Sequence, residues 1–450
     1  MRPARPTATL FVLFLLNSLN FFDRNILGAV VEPLRHEWSL RDAQIGWIGT
    51  AFTLLYAVVG LPLGRLADHA RRTRLLGGGA LLWSAMTAIS GLTTSFAVNR
   101  PAKLVVSPEI AVMARLGVGV GEAVCAPAAT SLIGDLFPSA RRGRATAIFM
   151  LGLPVGLGLS YAVGGAVAQA WGWRAAFFVA GLPGLVVGAL CLALPEPARG
   201  TSEPHPIGAQ RRSESALALL TQTPTLLWII VSGALHNFNM YALATFVPAL
   251  LIRHHGLGVR QAGALSGLMF GVFGGIGLLV GGWVSDRAAA RKEGGRLLVS
   301  TWALALSVPL LVLFLVQPRG EIGRALAFVC PALLLMYLYY APVYATIQDV
   351  VEPARRGLAM AVYFCAMYVL GASMGPVGTG LLSDRLAARA AAAAGSPVVT
   401  EAARAQGLHE AMYIVPVLSV ILAVVLFAGA RASVRDRRAL TSWMEQARVS

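Results

Sequence analysis

Charged residues are scarce in this sequence: only 13% of its 450 residues are Asp, Glu, Lys or Arg. Soluble domains contain about 25% of these residues, so this chain cannot cover a water-exposed surface of its size. Long polar segments are missing too, which leaves no room for an added soluble domain. The four cysteines lie within apolar runs and show no CxxC spacing, so the sequence predicts neither a disulfide framework nor a metal site.

Apolar runs fill the chain instead, and 56% of its residues are hydrophobic. Runs of about 20 residues are long enough to cross a bilayer as helices. The predicted spans are Ala8–Val31, Ala43–Ala67, Leu75–Ala97, Ser107–Gly134, Arg144–Ala170, Ala175–Leu194, Thr225–Ile252, Gln261–Val284, Arg296–Val316, Gly323–Val350, Arg356–Leu382 and His409–Arg431. We therefore predict an all-α membrane protein of twelve transmembrane helices in two six-helix halves. Residues 1–195 and 224–450 form the halves, 196–223 a cytoplasmic linker, and the second half ends in a short basic tail. The alanine-rich residues 387–407 are predicted to form a surface helix or a loose loop.

The net charge of +16 comes from arginine clusters between the apolar runs. Most of the 37 Lys and Arg residues fall in predicted loops on the side of the two termini. The positive-inside rule then places both termini in the cytoplasm of a multi-pass protein of the cell (inner) membrane. The basic residues are interpreted as orienting charge, so we expect a lipid bilayer and a small molecule as partners, no nucleic acid, and a monomer.

A weak internal repeat supports two halves. The second and eighth predicted helices end in similar segments, Gly64–Asp68 and Gly282–Asp286, which both lead into basic loops. Such charged loops can form a latch that breaks as the halves rock, although they could also be plain orienting charges. The predicted latch residues are Gly64, Asp68, Arg71, Arg72, Asp135, Arg141, Arg142 and Asp286. The glycine-rich residues 152–165 are predicted to allow close helix packing.

Four charges are predicted inside the membrane, where an ionisable residue suggests function. Asp23 and Arg24 lie in the first predicted helix, and Arg115 and Glu122 in the fourth. Arg115 and Glu122 share one helix face, and Asp23 and Arg115 lie at about the same depth, with Glu122 roughly 10 Å deeper. One hypothesis is proton coupling, with Asp23 or Glu122 as carrier and an arginine as switchable counter-charge. The alternative is a static buried ion-pair network.

The second half offers neutral polar and aromatic residues in its first and fourth predicted helices. They suit an amphipathic substrate, although ordinary helix packing explains such residues equally well. The predicted substrate-binding residues are His236, Asn237, Asn239, Tyr241, Tyr337, Tyr340, Tyr344 and Gln348.

Several of these motifs resemble known sequences. Gly64–Asp68 with Arg71 and Arg72, and the glycines of 152–165, resemble the major facilitator superfamily. The segments Asn20–Arg24, Arg115–Ala123 and Ser131–Pro138 resemble its Spinster family, and Gln348–Arg356 followed by Gly375–Pro376 resembles bacterial members. The resemblance implies that Asp23, Arg115 and Glu122 are coupling residues, and that the substrate is of a lysolipid or sphingolipid type. Residues 98–103 depart from it with a longer, more basic loop.

These features predict a secondary active transporter that moves an amphipathic lipid-like or aromatic molecule by alternating access. No cofactor is expected, and protons are the expected coupling ion. A facilitative uniporter or a drug-type efflux pump that uses the buried charges as a gate is the alternative. A membrane enzyme or a receptor is a distant one, because the sequence offers no convincing nucleophile, metal cluster or soluble domain.

Overall fold

The computed structural model describes residues 6–92, 108–198, 216–351 and 355–449, and this part of the chain is almost entirely helical. The predicted end of the third span at Ala97, the start of the fourth at Ser107, the basic residues 98–103 and most of the linker lie outside the described residues. Eleven helical stretches within the described residues are long and apolar enough to cross a membrane. A further predicted span corresponds to the helix Arg72–Ser90, which begins with a buried arginine.

The chain forms two compact units. The first comprises the described residues of 1–207 and 244–272. Its helices are α1 (Pro6–Ala29), α2 (Val31–Trp38), α3 (Asp42–His69), α4 (Arg72–Ser90), α5 (Pro108–Glu122), α6 (Cys125–Leu136), α7 (Ser139–Met150), α8 (Gly152–Trp171) and α9 (Trp173–Ala193), the end of α11 (Pro224–Arg253), and α12 (Val259–Gly267) with most of the π-helical turn Leu268–Phe273.

The second unit comprises the described residues of 208–243 and 273–450. Its helices are α10 (Ala216–Gln222), most of α11 (Pro224–Arg253), α13 (Gly274–Arg291), α14 (Gly295–Leu315), α15 (Ile322–Tyr337), α16 (Tyr340–Val350), α17 (Arg356–Ala366), α18 (Met374–Ala393), α19 (Glu401–Ala411) and α20 (Ile414–Val449). A second π-helical turn, Met367–Ala372, joins α17 to α18.

Three predicted spans are each built from two helices, and a proline explains each break. The breaks lie at Ala123–Val124, at Leu151 and at Leu338–Tyr339. Each is followed within four residues by a proline: Pro127, Pro154 or Pro342. A proline has no N–H for the helical hydrogen bond and its ring crowds the carbonyl four residues earlier, so the helix bends there.

Three regions are more helical than the sequence predicts. The last span continues as α20 to Val449, so the predicted basic tail after Arg431 is a helical extension. In the alanine-rich segment, α18 runs on to Ala393 and α19 starts at Glu401, where the Thr400 hydroxyl accepts a hydrogen bond from the Ala403 N–H. Such a side-chain cap satisfies a free donor at a helix start. The end of the predicted linker forms α10.

Glycine residues bring α8 against α1 in the first unit. A Cβ atom at Gly156 would collide with the backbone of Ser18, and one at Gly152 would crowd Asn17. The Asn17 side chain also donates a buried hydrogen bond of 2.8 Å to the Phe149 carbonyl. This close packing fixes α1, the helix that carries Asp23 and Arg24.

Candidate functional site

The four predicted membrane charges form one cluster in the first unit. Asp23 and Arg24 lie on α1, and Arg115 and Glu122 on α5. Asp23 and Glu122 have no exposed surface, and Arg115 is 5% exposed. Two acids and two arginines balance each other in charge, which allows the group to be buried at all.

The charges form two separate pairs. A nitrogen of Arg115 lies 3.5 Å from an Asp23 carboxylate oxygen. Arg24 holds Glu122 more closely, with its two nitrogens 2.9 and 2.8 Å from the same oxygen, Glu122 Oε2. The structure thus brings Asp23 and Arg115 into contact, as their positions along the helices predict, and pairs Glu122 with Arg24.

The two carboxylates differ in how well they are satisfied. The Thr87 hydroxyl of α4 donates to Asp23 Oδ1 at 2.6 Å, so Asp23 has partners besides Arg115. The other oxygen of Glu122, Oε1, is buried and has no hydrogen-bond partner among the described residues. A buried carboxylate oxygen without a partner is costly, and it is a natural place for a proton or an incoming donor.

Aromatic rings surround the arginines. The Arg24 guanidinium lies 4.5 Å from the ring centroid of Tyr56 and 5.5 Å from that of Phe52. It also contacts the Asn20 amide oxygen at 3.4 Å. Ring faces attract cations, so they stabilise Arg24 even when Glu122 no longer holds it. Thr87, Asn20, Tyr56 and Phe52 were not among the predicted site residues. Thr87 could have been found, because it is a polar residue within an apolar span.

The predicted latch centres on Arg72, the first residue of α4 and fully buried. Its guanidinium is hydrogen-bonded to Asp135 and donates to Glu196 Oε1 at 2.8 Å. Glu196, which the sequence reasoning missed, also accepts from the Thr73 N–H and hydroxyl. Burial raises the pKa of Glu196, but these hydrogen bonds outweigh it and hold the pKa below its usual range.

The other predicted latch residues divide into three groups. Arg71 and Arg141 are exposed. The surroundings of Gly64 and the side chains of Asp68 and Arg142 are not among the described parts of the chain. In the second unit, Asp286 pairs with Arg296 at 2.7 Å, and Arg296 also bonds Asp349 at 2.9 Å. Each unit therefore has an arginine at the start of a helix that bridges two acids, in agreement with the internal repeat.

A second buried ion cluster in the first unit was not predicted. Arg253, at the end of α11, donates to both oxygens of Asp42 at 2.8 Å and to Glu32 Oε1 at 2.7 Å. All three side chains are at most 4% exposed. Such a two-pronged pair is among the strongest hydrogen-bonded arrangements in proteins. Nothing in the sequence indicated that Glu32 and Asp42 share a partner more than 200 residues away.

Five of the predicted substrate-binding residues come together in the second unit, the fifth being Tyr337, whose ring centroid lies 6.0 Å from that of Tyr340. The His236 ring stacks on Tyr339 with 3.9 Å between centroids and meets Tyr340 edge to face at 4.9 Å. Tyr340 contacts Tyr344 and the Asn237 amide. Both ring nitrogens of His236 are buried without a hydrogen-bond partner among the described residues. This aromatic cluster therefore holds an unused donor and an unused acceptor.

Tyr337 and the remaining predicted substrate residues differ in their surroundings. Asn239 donates to Ser419 of α20 at 3.0 Å, so it joins two helices. Tyr337 packs beside Gly274 and Gly277 of α13. Tyr241 is partly buried and Gln348 is exposed. Tyr339, which was not predicted to bind substrate, lies at the centre of the cluster.

Comparison with known proteins assigns the family. Residues 13–376 match the family model of the Major Facilitator Superfamily. The chain belongs to this superfamily and, within it, to the Spinster family. It is 31% identical over 396 residues to an MFS-type efflux pump of Mycolicibacterium smegmatis, with 85% of this chain and 86% of the pump aligned. It is 31% identical over 398 residues to spinster homolog 1 of Mus musculus, with 84% and 73% aligned. It is 26% identical over 406 residues to a sphingosine-1-phosphate transporter of Danio rerio, with 86% and 78% aligned.

A solved structure agrees. The chain superimposes with a TM-score of 0.85 on a bacterial homolog of the human lysosomal transporter Spinster, crystallised in an inward-facing, unoccupied conformation. The two are 25% identical, and the match covers 97% of this chain and 99% of that one. The predicted fold of twelve transmembrane helices in two halves is confirmed, and the protein is a multi-pass membrane transporter, not an enzyme.

Proposed function

We propose that this Spinster-family member is a proton-coupled secondary transporter of an amphipathic molecule, in which Glu122 carries the proton and Arg24 is its counter-charge. The observation that carries the proposal is the uneven bonding of the Glu122 carboxylate. One oxygen is held by Arg24 and the other is buried without a partner among the described residues. Protonation at that free oxygen neutralises the carboxylate and weakens its hold on Arg24.

Once Glu122 is neutral, the Arg24 guanidinium can exchange it for an anionic group of the substrate. The rings of Tyr56, Phe52 and Phe21 stabilise the Arg24 guanidinium through cation–π contacts and form an apolar, aromatic environment around it. An anionic headgroup with an apolar tail fits this combination of cation and rings. Proton uptake by Glu122 and capture of the substrate by Arg24 therefore favour each other, which is the linkage that a coupled transporter needs.

Asp23 and Arg115 form the second ion pair of the proposed proton-coupling cluster. Their contact is longer, 3.5 Å, and Asp23 is also held by Thr87. Because Asp23 has more hydrogen-bond partners, its carboxylate stays ionised while Glu122 gains and loses a proton. We propose that Asp23 holds Arg115 in place and keeps the cluster balanced while a proton passes through Glu122.

The proposed substrate is lipid-like, of a lysolipid or sphingolipid type, or an aromatic compound. The similarity to a sphingosine-1-phosphate transporter supports a lipid, and the His236 cluster in the second unit supports an aromatic or amphipathic body. We further propose alternating access as the mode of transport, and a cell-membrane location with both termini cytoplasmic, which the arginine-rich loops on the terminal side favour.

Transport into proteoliposomes tests the proposal. Compounds that raise the thermal unfolding temperature are first selected from a library of lysolipids and aromatic acids. An imposed pH gradient should then drive accumulation by the wild type, whereas Glu122→Gln should only equilibrate the same compound. If Glu122→Gln accumulates substrate as well as the wild type, coupling through this residue is wrong.

A drug-type efflux pump is the second candidate. It is favoured by the similarity to the mycobacterial efflux pump, which is aligned over 86% of its length. Expression in a strain that lacks its own efflux pumps should then lower the accumulation of cationic dyes. An unchanged dye level, together with uptake of lysolipids in vesicles, excludes this candidate.

A further inference from the structure

An open groove lies on the terminal side of the second unit, where α13 ends and α20 extends beyond its span. Its lining includes Arg291, Lys292, Glu293, Arg437, Arg438 and Thr441. Arg438 is paired with Glu293 at 2.5 Å. Arg291, Lys292 and Arg437 are exposed and have no acidic partner among the described residues. The groove therefore presents three uncompensated positive charges.

The groove is held in shape by contacts on both sides. The Thr225 N–H at the start of α11 donates to Asp436 Oδ2 at 2.8 Å, which anchors α20. Arg438 ties α20 to the turn between α13 and α14 through Glu293. Because the acids of this region are used in these ties, the cations of the groove are left for another ligand.

An apolar stripe on α13 leads into the groove. Ile276, Val280 and Trp283 are exposed along one face of this helix, and Trp283 is 59% exposed. Arg287 follows one turn later, with its guanidinium 3.6 Å from the Trp283 ring centroid. Exposed apolar residues of a membrane helix face lipid, and a tryptophan beside an arginine marks the depth of the headgroups. Arg291 comes one further turn along, at the groove.

A second stripe on α20 has the same design. Val417, Val420 and Val424 are exposed and lead to Phe427, which stacks with Arg431 at 4.6 Å. The face continues through Arg435 to Arg438 in the groove. Two lipid-facing stripes therefore end in an aromatic–arginine pair, and both run into one cationic groove. A free phosphate ion has no apolar part that could contact these stripes. A phospholipid can place its acyl chains along the stripes and its headgroup in the groove.

We propose that this groove binds the headgroup of an anionic phospholipid, whose acyl chains lie along the exposed faces of α13 and α20. The headgroup phosphate is held by Arg291, Lys292 and Arg437. Basic pockets at the membrane surface recognise anionic headgroups in this way. The site is separate from the buried charges in the first unit, so it does not depend on the nature of the transported substrate.

Native mass spectrometry of the detergent-purified protein tests the proposal. Titration with dioleoyl phosphatidylglycerol should give tight one-to-one adducts, whereas dioleoyl phosphatidylcholine should bind much more weakly. The triple variant Arg291→Gln/Lys292→Gln/Arg437→Gln should bind phosphatidylglycerol about 100-fold more weakly, because each surface cation contributes about five-fold. Its unfolding temperature should stay near that of the wild type, since all three side chains are exposed.

A matched control removes three cations elsewhere. Arg319, Arg385 and Arg389 are exposed and lie away from the groove, Arg319 in the turn after α14 and the other two in the second half of α18. The triple Gln variant of these residues should keep the affinity of the wild type. Equal loss in the control, equal binding of phosphatidylcholine, or displacement of the lipid by millimolar glycerol phosphate would each overturn the proposal, the last by showing a site for soluble anions.

Discussion

Removal of one partner from the Arg24–Glu122 pair should destabilise the protein strongly, and removal of both should not. The pair is buried, with side chains 5% and 0% exposed and 2.8 Å apart. Glu122→Leu leaves Arg24 as an unbalanced buried cation, and Arg24→Met leaves Glu122 as an unbalanced buried anion. Breaking a buried pair in this way costs about 3–5 kcal/mol, of which the rings around Arg24 recover up to about 2 kcal/mol.

We therefore expect Glu122→Leu to lose about 3 kcal/mol of unfolding free energy, and Arg24→Met, in which no cation remains for the rings to stabilise, to lose at least about 3 kcal/mol. The double variant Arg24→Met/Glu122→Leu leaves the cluster neutral again, with Asp23 and Arg115 still paired. Replacing a buried ion pair by apolar residues is often neutral or stabilising. The double variant should therefore lie within about 1 kcal/mol of the wild type, a coupling of about 5 kcal/mol between the two positions.

Equilibrium unfolding in mixed micelles, with increasing sodium dodecyl sulfate, gives these free energies. The exposed pair of Glu321 and Arg324 is a matched control, since its side chains are 48% and 71% exposed and 3.7 Å apart. Its double-mutant coupling should be below about 1 kcal/mol. If the coupling between Arg24 and Glu122 is no larger than in this control, the pair is not electrostatically linked and the reasoning fails.

Three further predictions concern the same unit. Arg253→Gln removes the buried cation that bridges Glu32 and Asp42 and leaves Arg35 to balance Glu32, so the unfolding temperature measured by fluorescence should fall by several degrees. The pKa of Glu196 is lower in the folded protein than its unfolded value of about 4.3. Glu196 therefore stabilises the protein above about pH 4.3, and this contribution is lost as the pH falls through the folded pKa. Glu196→Gln should make the unfolding free energy depend less on pH in that acidic range. Gly156→Ala should destabilise the protein because the added methyl meets the Ser18 backbone, whereas Gly78→Ala, where the methyl meets nothing, should be neutral or slightly stabilising when both are compared by thermal unfolding.

The sequence predicted the membrane charges well, for a physical reason. A charge in an apolar run is conspicuous, and helix geometry alone places Arg115 and Glu122 on one face. Depth along the helices also predicted that Asp23 meets Arg115. The sequence could not show that Arg24 pairs with Glu122, because that pairing depends on how α1 is rotated about its axis. The glycines of α8 determine this rotation through their contacts with α1.

Contacts between distant segments were beyond sequence reasoning. Arg253 meets Glu32 and Asp42 across more than 200 residues, and no local pattern encodes such a distance. In the second half, the helix α11 carries polar side chains on several of its faces. Only the packing reveals that Asn239 faces α20 while His236 joins the tyrosine cluster. The breaks at Pro127, Pro154 and Pro342 were within reach of the sequence, since the rule that explains them is local.

Gradient-driven transport by Glu122→Gln tests the central claim most directly. The wild type and the variant would be reconstituted in parallel and given the same lysolipid or aromatic acid, once with a pH gradient and once with preloaded substrate. The wild type should accumulate the compound above equilibrium, and Glu122→Gln should exchange it without accumulation, because the variant side chain mimics the protonated acid permanently. Full accumulation by Glu122→Gln would contradict the account.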